Sequence, residues 1–146
     1  MESASQNVSL TQRAPVSKKT LWTGHIISSL VVLFLAFDCV IKFIKPAPQP
    51  VADAFAKLGW PVTLAANLGV ILLGCTILYA IPRTSMLGAI LLTGYLGGAV
   101  ATHLRVGDPL FSHVLFPVYL GVLLWLGLYL RDGRLRALIP LKNPMW

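Results

Sequence analysis

The chain alternates between long apolar runs and short polar or proline-containing segments, and four such runs can be distinguished. Each apolar run is roughly 20 residues long, the length that an α-helix needs to cross the hydrocarbon core of a bilayer. The pattern predicts spans at about 21–43, 62–81, 86–104 and 113–130. We therefore expect an all-α membrane protein, built as an up-down bundle of four transmembrane helices.

Shorter segments complete this prediction. Residues 1–20 are polar and residues 131–146 are basic, so both are expected to be tails outside the bilayer. Pro46, Pro48 and Pro50 end the first helix, because proline lacks the amide donor that a helix interior needs. The following segment, 51–60, is amphipathic and ends on Trp60, which predicts a short helix lying in the membrane interface.

Composition and charge support the membrane class. Apolar residues make up 56% of the chain and charged residues only 12%, against about 25% charged residues in soluble proteins. The net charge of +7 does not indicate nucleic-acid binding, because the basic residues flank the apolar runs. Eight of the 12 lysines and arginines lie in the tails and at Arg83. The positive-inside rule therefore predicts an inner-membrane protein with both termini in the cytoplasm.

Polar side chains concentrate at one depth. A rise of ~1.5 Å per residue places Asp38 and His103 each roughly 25 Å from the cytoplasmic edge. Intramembrane ionisable groups are costly and usually face a partner or a cavity, so we expect one pocket at the outer mouth. Its candidate residues, drawn from all four spans, are Asp38, Lys42, Asn67, Tyr95, Thr102, His103, Arg105 and His113.

Our first hypothesis is a component of a membrane oxidoreductase that binds a quinone or another lipophilic small molecule. Asp38 and His103 would relay protons as the catalytic pair, and Lys42 or Arg105 would stabilise developing negative charge. The remaining candidates would bind the ligand and orient its head group: Asn67, Tyr95, Thr102 and His113.

Structural roles remain open for the same residues. Asp38 pairing with Lys42 or Arg105 would hold helices in register, and His103 would be a hydrogen-bonded histidine at the interface. Arg105 and His113 would then lie beside the headgroups. Asn67 and Tyr95 would form hydrogen bonds between helices.

Motifs for other chemistries are missing from the sequence. No metal site is expected, because a site needs three or four converging ligands and only two histidines share the outer level. A bis-histidine haem through His103 and His113 has no supporting motif. Cys39 and Cys75 form no CxxC pair and are expected to be buried thiols.

The third span has a face of small residues. Gly94 and Gly98 form a GxxxG pair, a pattern typical of closely packed membrane helices. This suggests a second, non-enzymatic hypothesis: a lipid- or partner-binding subunit whose glycine face docks an oxidoreductase partner or a second copy. A small-molecule transporter is the third choice, since the sequence shows no internal duplication.

The third span also carries a family resemblance. Its segments are Pro82-Arg83-Thr84, Leu87-Gly88-Ala89, LTGYLGGA at 92–99 and ATHLR at 101–105. With Asp38 and Lys42 in span one and Asn67 and Gly69 in span two, they resemble the DoxX-like family of small bacterial membrane proteins. The resemblance covers roughly 21–130 and implies a four-helix membrane bundle. The related DoxX and DoxD proteins are associated with quinone-linked sulfur oxidation and with membrane oxidoreductase complexes, which implies the same type of role here.

Overall fold

A computed structural model of the protein describes residues 17–139, and all the regular secondary structure in that range is helical. Most of both predicted tails, 1–16 and 140–146, lies outside the described residues. The helices, in chain order, are α1 Lys18–Phe43, α2 Gln49–Lys57, α3 Ala65–Ala80, α4 Ser85–Arg105, α5 Phe116–Arg131 and α6 Gly133–Leu138.

Four of these segments are long and apolar enough to span a membrane, which confirms the predicted fold class. Helix α3 is extended at its start by a 3₁₀ turn, Val62–Leu64, and α5 is preceded by a π-helical turn, Leu110–Val114. The fourth span therefore starts at Leu110, before the expected His113. Helix α6 adds a short turn inside the segment that the sequence pattern assigned to the C-terminal tail.

The spans pack as a ring in which each contacts two neighbours. Helix α1 lies between α3 and α5, and α4 lies between the same two helices on the other side. We call the end that carries the α1–α2–α3 and α4–α5 connections the α2 end. The opposite end, with the α3–α4 turn and α6, is the α6 end. Amphipathic α2 lies at the α2 end and buries Phe55.

Tyr79 of α3 contacts all three other spans near the α6 end. Its side chain has no exposed surface. The hydroxyl donates to the Leu124 carbonyl of α5 at 2.9 Å and lies 3.1 Å from Ser28 Oγ of α1. Its backbone lies directly against Gly88 of α4. Because helices in lipid gain no hydrophobic free energy by associating, such packing and hydrogen bonding must hold them together.

Glycines allow this close approach. A Cβ added to Gly88 would come within 3.0 Å of Tyr79 and Leu78 backbone atoms. One added to Gly127 would lie 2.6 Å from Ser28 Oγ, and one added to Gly24 would lie 2.8 Å from the Arg131 amide nitrogen. The backbones of neighbouring spans therefore touch where a side chain is missing.

The GxxxG glycines behave differently. A Cβ added to Gly94, Gly97 or Gly98 would meet nothing within 4 Å among the described residues. Within this part of the chain the bare face of α4 is therefore not packed against another span, and it lies on the bundle surface.

We predict that Gly88→Ala destabilises the bundle. Overpacking costs about 1–3 kcal/mol, which exceeds the roughly 1 kcal/mol that alanine gains over glycine in a helix. Gly74→Ala is the matched control, because a Cβ at Gly74 meets nothing within 4 Å. Thermal unfolding in detergent should show a lower midpoint for Gly88→Ala than for the natural protein. The midpoint of Gly74→Ala should not be lowered. Equal midpoints would contradict the assigned contact with Tyr79.

Candidate functional site

Helix α4 ends in a turn that folds its next residues back over the helix. Gly107 has φ +70°, the left-handed conformation that glycine adopts most readily. Its amide donates to the Leu104 carbonyl, and the Asp108 amide donates to the His103 carbonyl, both at 3.1 Å. This is a Schellman motif, and it brings Asp108 next to His103.

Asp108 is the centre of the polar contacts at the α2 end. Its side chain is only 2% exposed. Oδ2 lies 2.6 Å from His103 Nδ1, while the Lys57 ammonium of α2 forms an ion pair with Oδ1. The hydrogen bond from His103, followed by the nearby Lys57 ammonium, lowers the pKa of Asp108 below its ordinary value of 3.8. Asp108 is therefore ionised at neutral pH.

Two adjacent residues, Lys57 and Leu58, hold α2 against the end of α4. We call the cluster of His103, Asp108 and Lys57 at this end the corner around Asp108. Lys57 pairs with Asp108, and Arg105 Nη2 donates to the carbonyl of Leu58. Leu58 caps α2, and Gly59 then takes φ +69° while the Trp60 amide donates to the Phe55 carbonyl at 2.9 Å. The ammonium of Lys57 is thus held over the end of α4 by backbone geometry as well as by charge.

His103 is oriented by this arrangement. An ionised carboxylate can only accept hydrogen bonds, so Nδ1 of His103 must carry the proton. Nε2 has no hydrogen-bond partner among residues 17–139, and the side chain is 25% exposed. The His113 ring packs edge-on against the His103 ring, with centroids 5.9 Å apart. The pair therefore presents imidazole nitrogens beside a buried carboxylate, an arrangement suited to exchanging protons with a ligand.

An apolar groove lies between α4 and α5. It has a volume of about 470 Å³ and is lined by Thr93, Leu96, Gly97, Val100, Pro117, Val118, Gly121, Val122 and Trp125. Trp125 Nε1 donates to Thr93 Oγ1 at 2.9 Å and closes the groove towards the α6 end. At the α2 end, His103 follows Val100 by one helical turn and His113 precedes Pro117 by one turn. Neither histidine lines the groove, but both lie close along the chain to lining residues at its α2 end.

The predicted site residues divide into two groups. His103, Arg105 and His113 lie at the corner around Asp108, although Arg105 is engaged with Leu58. Asp38 and Lys42 pair with each other along α1, and Lys42 packs against Gly69 of α3. Within residues 17–139 no hydrogen bond or ion pair joins Asp38 to His103, so a direct proton relay between them is not formed here.

The three remaining candidates lie apart from the corner. Asn67 is exposed near the start of α3. Thr102 Oγ1 donates to the Gly98 carbonyl at 2.8 Å, within its own helix. Tyr95 is half-buried and packs against the core between the spans.

Sequence reasoning missed Asp108 and Lys57, which hold His103 in place. The signal for Asp108 was present, since a glycine two residues after Arg105 is the usual end of a helix and directs the following residue backwards. No sequence signal placed Lys57 there, because it depends on how α2 docks. Within the described residues no three His, Cys, Asp or Glu side chains are grouped to hold a metal ion, and Cys39 and Cys75 are free and buried.

The lowered pKa of Asp108 predicts a loss of stability in acid. A depressed carboxyl pKa stabilises the fold above the unfolded-state pKa, and this contribution disappears as the pH falls through the folded-state pKa. From about pH 7 to about pH 3, the unfolding midpoint of the natural protein should therefore drop more than that of Asp108→Asn. Asp53→Asn, an exposed carboxylate on α2, should keep the natural profile. Parallel profiles for all three proteins would contradict the assignment.

The family model of DoxX-like proteins matches residues 26–127, a range that covers most of each of the four membrane helices and includes His103 and Asp108. No curated protein and no solved structure matches the chain. The match spans well over half of the sequence and agrees with the four apolar helices of the structure. This multi-pass membrane protein therefore belongs to the DoxX-like family.

Proposed function

We propose that the protein binds a lipophilic small molecule of the quinone class as a component of a membrane oxidoreductase. The observation that carries the proposal is the apolar groove whose lining residues Val100 and Pro117 lie three and four residues along the chain from His103 and His113, which pack against each other. A quinone has a polar head and an isoprenoid tail, and the groove and the pair offer a matching surface for each part.

The apolar groove between α4 and α5 suits the isoprenoid tail of a quinone. Its volume of about 470 Å³ falls within the roughly 300–1,000 Å³ of typical ligand sites. Four lining residues, Thr93, Gly97, Val118 and Val122, are exposed on the bundle surface, so a molecule dissolved in the bilayer could enter from the side. Between Thr93 and Val100 the groove extends for about 10 Å along α4.

His103 and His113 suit the polar head group of a quinone. When a partner protein delivers two electrons to a quinone, its two oxygens must take up two protons. His103 in its imidazolium form can donate one proton from Nε2, while Asp108 keeps the proton on Nδ1 and stabilises the charge. His113, 5.9 Å away between ring centroids, is the candidate donor to the second oxygen or its hydrogen-bond partner. Asp38 and Lys42 are not needed for this transfer.

We propose an orientation for the bundle with the α6 end in the cytoplasm. Six lysines and arginines among the described residues lie at that end: Lys18, Lys19, Arg83, Arg131, Arg134 and Arg136. Four lie at the α2 end: Lys42, Lys45, Lys57 and Arg105. The positive-inside bias supports an inner-membrane protein whose histidine pair lies near the outer surface.

We predict that Gly121→Leu blocks quinone binding. The new side chain would fill the groove, whereas Gly74→Leu adds the same side chain to an exposed position of α3. Titration of the purified protein with a short-chain isoprenoid benzoquinone, followed by quenching of tryptophan fluorescence, should give an affinity at least tenfold lower for Gly121→Leu. Both variants must keep their thermal unfolding midpoint for the comparison to count.

The contact between His103 and the quinone head group can be tested in the same titration. His103→Phe keeps a ring but loses one hydrogen bond, worth about 1 to 1.5 kcal/mol, which corresponds to an affinity about tenfold lower. Asp38→Asn should bind as the natural protein does. If Gly121→Leu and His103→Phe bind the quinone normally, the groove is not the site. If Asp38→Asn alone loses binding, the result favours the pocket around Asp38 that the sequence pattern predicts.

A second candidate function is docking of a partner or a second copy through α4. It is favoured by the open space beside Gly94, Gly97 and Gly98, since a closely packing glycine face needs such access. The partner helix would lie where a side chain of normal size would otherwise project.

Gly94→Leu and Gly98→Leu should break up such a complex. The substitutions add bulk at an exposed face without contacting another span, so the monomer fold should be unaffected. The mass of the particle in mild detergent should fall to that of a single chain, while Gly74→Leu should leave it unchanged. An unchanged mass for both glycine variants would rule out this face as the interface.

A further inference from the structure

A second pocket lies at the α6 end, on the opposite side of the bundle from the histidine pair. It has a volume of about 260 Å³ and forms between the α3–α4 turn, the end of α5 and the start of α6. The charged and titratable side chains that line it are His25, Arg83, Arg131, Asp132 and Arg134. None of them is used by the proposed quinone site.

The charges in this pocket are not balanced. Three arginines face one carboxylate, and no ion pair joins any of these arginines to an acidic group among residues 17–139. The Asp132 carboxylate instead accepts a hydrogen bond from the Arg134 amide at 2.8 Å and caps α6. Positive charge therefore dominates the pocket, which favours an anionic ligand.

Arg131 is held in place before any ligand arrives. Its Nη2 donates to the Tyr79 carbonyl at 3.1 Å, and its guanidinium carbon lies 5.0 Å from the centre of the Tyr79 ring. Tyr79 is itself fixed by Ser28 and Leu124. A guanidinium that is already oriented loses little conformational entropy when it binds an oxyanion.

Arg131 also has unused donor capacity. Its Nε is buried and has no hydrogen-bond partner among the described residues. A buried donor without an acceptor is uncommon and calls for an explanation. Phosphate oxygens form strong, often paired hydrogen bonds with guanidinium groups, and Arg131 is one of the three arginines that line this pocket.

From this arrangement we infer that the pocket at the α6 end binds a phosphate group. Leu128 provides an apolar wall on the side of the span, and the exposed arginines Arg83 and Arg134 lie at the end of the bundle where lipid headgroups would be. Basic pockets between membrane helices are suited to anionic headgroups. The same chemistry would also accept a soluble phosphate compound, and the experiment distinguishes the two sources.

The test uses Arg83→Gln combined with Arg134→Gln, because neither side chain supports the fold through a described contact. Lys18→Gln combined with Lys19→Gln is the matched control, since it removes two exposed charges from the same end outside the pocket. The delipidated full chain in detergent is titrated with phosphatidylglycerol and followed by native mass spectrometry. The arginine variant should bind at least tenfold more weakly than the natural protein, and the lysine variant less than twofold more weakly.

A parallel arm uses inorganic phosphate against chloride at equal ionic strength, with thermal unfolding as the readout. Binding of phosphatidylglycerol that is lost in the arginine variant, without stabilisation by inorganic phosphate, identifies a lipid headgroup site. Stabilisation by inorganic phosphate, lost in the same variant, identifies a soluble phosphate ligand. If the arginine and lysine variants lose affinity equally, the effect comes from general surface charge and the inference is overturned. The inference is also overturned if neither phosphatidylglycerol nor inorganic phosphate binds.

Discussion

The bundle depends on the contacts of one buried tyrosine. Tyr79 reaches Ser28 on α1, Leu124 on α5 and, through its backbone, Gly88 on α4. In a bilayer the lipid chains are as apolar as the helix surfaces, so helices are held by close packing and hydrogen bonds. A polar group that satisfies partners on several spans in a dry interior therefore fixes their spacing more firmly than apolar contacts of the same size. At the α6 end the same tyrosine also holds Arg131, which lines the second pocket.

The α2 end shows how backbone geometry builds a polar centre. Two helices end in Schellman motifs at Gly59 and Gly107, and each motif turns the chain sharply without strain. The turn after α4 places Asp108 against His103, and the turn after α2 leaves Lys57 over the same carboxylate. A buried carboxylate with a cation on one side and an imidazole on the other fixes the imidazole's tautomer and direction. The Nε2 atom of that imidazole has no hydrogen-bond partner among the described residues.

The two ends of the bundle carry different chemistry. The α2 end has a compensated cluster, in which one buried carboxylate meets Lys57 and His103. The α6 end has an uncompensated cluster of arginines around a pocket. Compensated charges are stable without a ligand, whereas clustered like charges are destabilised until an anion arrives. The first arrangement balances its charges internally, whereas the second leaves an excess of positive charge.

The sequence by itself determined the class, the number of spans and their approximate limits. Hydrophobic length is a local property, and the bilayer requires every span to satisfy its backbone hydrogen bonds internally, so four apolar runs can only be four helices here. It also located the glycines and the polar residues near one end. It did not determine which of them meet.

The tertiary structure decided the partners, because facing directions depend on how helices rotate and dock. Asp38 and His103 share a depth in the sequence pattern, yet Asp38 pairs with Lys42 along α1 while His103 turns to Asp108. The GxxxG glycines lie on the surface, and the tight contacts fall at Gly24, Gly88 and Gly127. Lys57 reaches its carboxylate only because α2 folds back over the end of α4. Depth along a helix is set by residue number, but the direction of a side chain around the helix is settled only by its neighbours.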